Sequence, residues 1–447
     1  MLTACGNETP TPSLATSESV LEAVTAVSAL PPPPIESSTP IIVEPLSYPN
    51  AETTPPETAV AYPPPVSPQP SNTKSPYPIA TPSPNPTNIA SPLPPSPTPL
   101  SLITPTAASS TTTASSNDHF IFLPFISNQN GQANALNITP LNFEQIKADL
   151  NAQGQEIVYA KIGFHAGVGY QSENLVAWMT ALDAAGVPFF LKSTDNAEPI
   201  YIAQELKRRS GLPHTLVYRR VSSNDHNLDV PDYNLPAEEA AVLHWQKHME
   251  LFPPELDPSL IWIETVNEID KNRAEWMGQF ALKTAELAMA DGFNWAAFGW
   301  SSGEPEPEHW QTPSMLAYLE LAGNNPDRLA VALHEYSYTT EDIKDGYPYK
   351  IGRFAQIFQI ADQNNFPRPT ILITEWGWEY VHNPAPDKAM QDIAWANQIY
   401  APYPQVKGAA IWYLGGGFKD VALQTEQLII PVTEYALQNY FTRPFSP

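Results

Sequence analysis

From residue 157 onward the chain alternates between two patterns of hydrophobic positions. One is a short, nearly unbroken apolar run rich in β-branched and aromatic residues. Eight such runs occur, at 157–164, 188–192, 214–221, 260–266, 295–300, 329–333, 370–374 and 409–413. The other is a longer stretch with apolar residues three and four positions apart, the spacing of one helix face. These stretches fall at 175–184, 200–209, 237–251, 274–289, 313–322, 352–363 and 387–400. A strand that is apolar on both faces belongs in a parallel sheet covered by helices. Eight strands is the number that closes into a (β/α)8 barrel. Residues 142–150 are expected to form an earlier helix with Asn142 as its N-cap, and 432–441 the last outer one. An open doubly wound sheet is the structural alternative, but it would usually carry a glycine-rich phosphate loop after its first strand. Gly163, Gly167 and Gly169 lack the G-x-G-x-x-G spacing of such a loop.

The residues before the alternation are of another kind. Residues 6–118 hold 27 of the 51 prolines, eight acids and a single lysine. Such a segment buries too little apolar surface to offset its ordering entropy, and it is expected to be a disordered linker. The apolar run at 119–126 is expected to open the folded part. Residues 119–447 are then expected to form one barrel domain, a fold that needs ~250 residues plus insertions.

Charge narrows the partners. The linker's eight acids and one lysine give −7, and the remaining 39 acids and 21 bases give −18, for −25 in all. So acidic a surface repels phosphate backbones, and nucleic acid is not expected as a partner. The one cysteine, Cys5, excludes an intramolecular disulfide. Its context, Leu2-Thr3-Ala4-Cys5, resembles the lipobox of bacterial lipoproteins. That resemblance implies a lipidated Cys5, residues 1–5 as the remnant of a signal, and an extracytoplasmic, cell-surface location in a bacterium. Membrane contact is expected only through that lipid, since no stretch approaches the ~18 apolar residues of a span.

The candidate chemistry lies at the ends of the predicted strands. The fourth run ends in Asn267-Glu268 and the seventh in Glu375-Trp376-Gly377-Trp378. In a (β/α)8 barrel the C-terminal strand ends carry the active site. Taken singly, each glutamate could be a loop acid beside core tryptophans. Two carboxylates at one barrel rim are the equipment for splitting a glycosidic bond. Side chains alternate along a strand, so Glu264 should share the inward face with Glu268, one layer below it, and be hydrogen-bonded there. His334 and Tyr336 share one face of the sixth strand and could orient a carboxylate. Trp412, followed by Gly415-Gly416-Gly417, and Trp376 and Trp300 are candidate sugar platforms, because rings stack on the apolar faces of sugars. Of Arg219 and Arg220 at most one can enter the mouth; Arg219 is the candidate, with Arg220 expected to meet the helical layer. His244 and His248 have the i, i+4 spacing of metal ligands, but their predicted helix is in the outer layer, and they read as solvated surface residues. A serine esterase has no Gly-x-Ser-x-Gly to use.

At these residues the chain resembles the retaining glycoside hydrolases of clan A, most closely the family 5 cellulase-like group. The family's E-x-x-N-E-P is Glu264-Thr265-Val266-Asn267-Glu268-Ile269 here, its H-x-Y is His334-Glu335-Tyr336, its nucleophile motif is Thr374-Glu375-Trp376-Gly377, and its strand-eight tryptophan is Trp412. The likeness spans roughly residues 157–414. It implies Glu268 as general acid/base, Glu375 as nucleophile, and Asn267 as a donor to the sugar 2-hydroxyl. It further implies His334 and Tyr336 lining the cleft, and Trp412 flooring the −1 subsite. A poly- or oligosaccharide would be cleaved with retention, without metal or organic cofactor. Glu375 would raise the pKa of Glu268. Three features depart from the family: Ile269 replaces proline, no arginine follows strand two, and no His-Asn pair follows strand three. Those residues normally help bind the −1 sugar. The alternative is a carbohydrate-binding barrel with weak or lost hydrolysis.

Overall fold

A computed structural model describes residues 138–445 apart from 171, 224 and 225, with the side chains of 222–227 and 419 left aside. The expected linker at 6–118, Cys5 and the run at 119–126 lie outside the described residues. Eight parallel strands form a closed barrel: β1 (Ile162–Ala166), β2 (Phe190–Thr194), β3 (Thr215–Arg219), β4 (Trp262–Glu264), β5 (Asn294–Trp300), β6 (Leu329–Tyr336), β7 (Thr370–Gly377) and β8 (Val406–Leu414). Each pairs with its neighbours in chain order, and β8 closes onto β1. The helices are α1 (Phe143–Ala152), α2 (Glu173–Ala184), α3 (Glu198–Ser210), α4 (Ala237–Glu250), α5 (Ala274–Ala290), α6 (Pro313–Asn324), α7 (Phe354–Asn364), α8 (Pro386–Tyr400), α9 (Lys419–Glu426) and α10 (Ile429–Gln438). Asn142 caps α1 as expected, its side chain accepting from the Gln145 amide at 3.1 Å.

The strands are apolar on both faces because two separate cores need them. Outward residues such as Phe164, Leu191, Ile263, Val331 and Ile373 join the helices in one large apolar cluster. Inward residues form a second, smaller one: Phe190, Val217, Trp262, Ala296, Ala330, Ala332, Leu372 and Ala410. Two bulky rings among mostly small residues fill the lower barrel, leaving its upper half to polar side chains. At Gly163 of β1, an added Cβ would lie 1.8 Å from the Phe190 carbonyl oxygen, so only glycine permits this approach of β1 to β2.

The structure corrects three expected boundaries. The run at 157–164 is two elements. Gln155–Val158 leaves the barrel and pairs antiparallel with Phe441–Pro444, so Phe441 ends a strand pair and not a helix. Lys161 marks the break: its ammonium donates to the carbonyls of Tyr400, Tyr403 and Val406 at 3.1, 2.6 and 2.7 Å. Finally, β7 does not stop before Glu375 but runs to Gly377. Among the described residues no helix is long and apolar enough to cross a membrane.

Candidate active site

Glu375 sits at the inner end of the barrel mouth and is 6% exposed. A register shift between Ile373 and Glu375 breaks the alternation of β7. A bulge of this kind re-aims side chains, and here Thr374 and Glu375 both reach the interior. One oxygen of Glu375, Oε1, faces Arg219 Nη1 at 3.3 Å and Lys192 Nζ at 3.4 Å. The other accepts from the Tyr336 hydroxyl at 2.8 Å and lies 3.5 Å from His334 Nδ1. Burial alone would raise the pKa of this carboxyl, but the charges of His334, Lys192 and Arg219 outweigh it and hold the value well below the usual carboxylate range. Burial, followed by the Glu375 charge, pushes the Tyr336 phenol well above its ordinary value, so it stays a neutral donor.

The layer beneath supplies the counter-charge. Lys192 projects inward from β2 with no solvent exposure, and its ammonium lies 2.6 Å from Glu264 Oε2. Glu264 also accepts from Thr374 Oγ1 at 2.6 Å. This is the bonded carboxylate expected one layer below the rim. Burial pushes its pKa up, yet Lys192 and Arg219 bring it below the ordinary value. Arg219 contacts Asn267 Oδ1 through Nη1 and Asp229 through Nε at 3.5 Å.

Glu268 faces this cluster from the end of β4. Its backbone is left-handed, with φ of 44°, and its amide donates to the Gly299 carbonyl at 2.8 Å. A non-glycine residue held in that region is found disproportionately at functional sites. The Glu268 side chain is 44% exposed and accepts from His334 Nδ1 at 3.1 Å. One carboxylate oxygen of Glu268, one of Glu375 and a ring nitrogen of His334 all lie within 4.8 Å of one another. The Glu375 charge acts on Glu268 in the expected direction, yet the net pKa shift of Glu268 is downward. The His334 hydrogen bond is the largest influence and lowers its pKa, against burial and the Glu375 charge, which raise it. Glu268, His334 and Glu375 could also hold a metal ion. The ammonium of Lys192 and guanidinium of Arg219, both against Glu375, oppose a divalent cation there.

No family model matches the sequence, and no curated protein matches it. Solved structures match it at low identity and low TM-score. A glycoside hydrolase family 30 subfamily 8 xylanase from Clostridium acetobutylicum matches with a TM-score of 0.36 and 10% identity, over 62% of this chain and 72% of that chain. A GH5-4 broad specificity endoglucanase from an uncultured bovine rumen ciliate matches with 0.33 and 11%, over 59% and 86%. The tryptophan synthase α-subunit of Pyrococcus furiosus also matches, with 0.30 and 11%, over 63% and 97%. The chemistry of this mouth therefore has to be read from its own residues.

Those residues are mostly where the sequence put them. Glu268, Glu375, His334, Tyr336, Asn267 and Arg219 converge on one mouth. Trp412 stands beside them, its ring 6.3 Å from that of Tyr336. Two expected platforms do not. Trp376 is fully buried on the outward side, donating Nε1 to the Tyr400 hydroxyl at 3.0 Å. Trp300 is also fully buried, stacked on Phe298 at 5.4 Å and near Trp310. Positive φ at Phe298 and Gly299, 81° and 56°, with a register shift before Trp300, turns the end of β5 into the helical layer. Arg220 pairs with Asp195 at 3.4 Å. His244 and His248 are buried, not solvated. Their rings pack 4.7 Å apart on the inner face of α4, bonded to the carbonyls of Thr265 and Leu228. Burial pushes their pKa values down to about 4 and about 3.

Sequence reasoning missed Lys192 and His165. Lys192 closes an apolar run, Phe189-Phe190-Leu191, and a lone lysine at the inward parity of a buried strand must find a carboxylate. His165 is 1% exposed on β1, with Nε2 2.8 Å from Thr194 Oγ1. Burial and then the Lys192 charge press its pKa well below the usual histidine value, so it is a neutral member of the cluster.

Proposed function

We propose that this protein is a retaining glycoside hydrolase that cleaves O-glycosidic bonds of a poly- or oligosaccharide by double displacement. The observation carrying this reading is the Glu268–Glu375 pair. Their nearest carboxylate oxygens are within 4.8 Å across a shared mouth. Retaining enzymes hold the two carboxyl groups ~5–5.5 Å apart, whereas inverting ones leave ~6.5–9.5 Å for a water. The environments differ as the two roles require. Glu375 is buried, ionised and oriented by three donors, Lys192, Arg219 and Tyr336, the equipment of a nucleophile. Glu268 is half exposed at the rim, able to exchange a proton with solvent.

Glu375 attacks the anomeric carbon as Glu268 protonates the leaving glycosidic oxygen, giving a glycosyl ester on Glu375. Glu268, now ionised, takes a proton from water, the water oxygen attacks the anomeric carbon, and the ester bond breaks. Two inversions leave the anomeric configuration unchanged. In the free protein the His334 bond favours ionised Glu268. A sugar in the mouth strips water from Glu268 while Glu375 stays anionic beside it, and both effects favour the protonated acid. Asn267, whose side chain accepts from Arg219, would donate to a sugar hydroxyl. Lys192 and Arg219 place two positive charges against Glu375, which favours its ionised form.

The test is a panel of soluble polysaccharides with product stereochemistry followed by NMR. Retained products with wild type are expected, together with their loss in Glu375→Ala. Binding without hydrolysis would select the carbohydrate-binding alternative, and inverted products would overturn double displacement. The context of Cys5 further supports display of the enzyme outside the cytoplasm on a lipid. Labelling of wild type but not Cys5→Ala with a radiolabelled fatty acid tests that.

A further inference from the structure

The pair His244 and His248 takes no part in the chemistry described above, yet it lies behind the acid/base. Both rings are buried on α4, 4.7 Å apart, and His244 also packs against Phe280 of α5 at 5.6 Å. His244 Nε2 lies 2.6 Å from the Thr265 carbonyl oxygen, and His248 Nε2 lies 3.2 Å from that of Leu228. A carbonyl oxygen only accepts, so Nε2 carries the proton of each neutral ring and donates.

These carbonyls lie where the barrel ladder has run out. β4 pairs with β3 and with β5 only as far as Glu264. Residues 265–268 are held by bonds from outside that ladder. His244 takes the Thr265 carbonyl, and Trp295 Nε1 donates to the Thr265 hydroxyl at 3.1 Å. The Asn267 amide donates to the Asp229 carbonyl and the Glu268 amide to that of Gly299, both at 2.8 Å. Asp229 directly follows Leu228, whose carbonyl His248 holds. α4 therefore grips both segments that meet at Asn267. Glu268 keeps its left-handed φ of 44° only while its surroundings over-determine it. An apolar side chain at position 244 would fill the same space but leave a buried carbonyl without a donor.

Resting on the glycosidase reading above, we propose that His244 and His248 are positioning residues: from the outer layer they fix the backbone of residues 265–267 and of Leu228-Asp229, so that Glu268 reaches the leaving oxygen. They touch no substrate. Without them the end of β4 shifts, and a misplacement of ~1 Å costs up to about a hundredfold in rate. Glutamine can serve in their place, because its amide nitrogen extends as far from the backbone as a histidine Nε2.

The test uses full-length His244→Phe, His248→Phe and His244→Gln. Ala241, fully buried on the same helix, supplies the control Ala241→Gly, which loosens α4 without removing either donor. Circular dichroism confirms folding, and methionine replaces phenylalanine at a position where the latter prevents it. Hydrogen–deuterium exchange of the peptide covering residues 262–270 is compared at an equal interval below each Tm. Exchange should be several-fold faster in the phenylalanine variants than in wild type, His244→Gln and the control. On the polysaccharide that wild type cleaves, kcat should fall roughly ten- to a hundredfold in the phenylalanine variants with KM little changed. His244→Gln should restore most of that loss. A 2,4-dinitrophenyl glycoside of the same sugar, whose leaving group needs no proton, should lose much less. Unchanged exchange, equal losses on both substrates, or the same losses in Ala241→Gly overturns the proposal. If wild type hydrolyses no polymer, the glycosidase reading fails, and the exchange comparison alone decides whether α4 holds the end of β4.

Discussion

Lys192 and Glu264 form an ion pair of 2.6 Å in which both side chains are fully excluded from solvent. The pair lies directly under Glu375, and Lys192 reaches that carboxylate too, at 3.4 Å. A buried pair of this kind is weak evidence for stability, because the desolvation of both ions offsets their attraction. Its place beneath an ionised carboxylate gives it another use. It delivers a positive charge to Glu375 without leaving a net charge in the barrel.

Removing one partner should therefore be far worse than removing both. Lys192→Met leaves the buried Glu264 carboxylate with only the more distant Arg219, at 3.8 Å, and should cost about 3 kcal/mol of unfolding free energy. Lys192→Met with Glu264→Gln should recover most of that loss. Activity should stay low in the double variant, because Glu375 has lost one of its cations. Urea denaturation of the three proteins, with hydrolysis measured beside it, checks both statements. Equal stability of the single and double variants would contradict the pairing.

Tyr336→Phe removes the 2.8 Å donor to Glu375 and little else. A hydrogen bond to a charged group is worth about 1.5–3 kcal/mol, so kcat/KM should fall by roughly ten- to a hundredfold. The Tyr336 bond helps to keep Glu375 ionised, so the acid limb of the pH profile should move to higher pH in the variant. A fall in kcat/KM with an unmoved acid limb would mean that Tyr336 binds substrate and does not tune Glu375.

Much of this site was legible in the chain because strand periodicity carries direction as well as identity. Parity alone places Glu264 below the rim and limits the mouth to one of Arg219 and Arg220. Parity fails where a strand bulges. Glu375 follows Thr374 in sequence, yet both face inward, and β5 turns at Phe298 so that Trp300 joins the core. Aromatic residues near acidic ones do not announce which face they occupy, so Trp376 and Trp300 read like Trp412. The break at Lys161 was hidden for another reason: the carbonyls that Lys161 binds lie more than 200 positions away along the chain. His244 and His248 look like surface residues because their partners are backbone carbonyls, which leave no mark in a sequence.

Glu335 gives a prediction in pH. It lies on β6 between His334 and Tyr336 but points away from the mouth, accepting from the amides of Gly352 and Arg353 at 2.8 and 2.9 Å and from the Tyr400 hydroxyl at 2.6 Å. Burial, outweighing those bonds, pushes its pKa from 4.5 to about 7. Between those values the unfolded chain releases the proton and the folded one keeps it. Stability must therefore fall as pH rises through that window, by about 3 kcal/mol at 1.36 kcal/mol per pH unit. Glu335→Gln starts less stable, with one acceptor fewer, but lacks that slope. Denaturation of both proteins at pH 4.5 and 7.5 isolates the difference. Parallel pH dependence in the two would show that folding does not raise the pKa of Glu335.

Trp300 and Trp412 should separate folding from binding. Trp300 has no exposed surface and stacks within the helical layer. Truncation of such a ring leaves a cavity, so Trp300→Ala should cost about 3–5 kcal/mol of stability. Its effect on KM should be small at temperatures where the variant stays folded. Trp412 is half-buried at the mouth, edge-on to the same Tyr336 that bonds Glu375. Trp412→Ala should leave a larger share of the stability intact while kcat/KM falls, because what it loses is a face offered to the sugar. Thermal denaturation and steady-state kinetics on both variants decide this. If Trp300→Ala raised KM as strongly as Trp412→Ala, the end of β5 would have to open toward the mouth in solution.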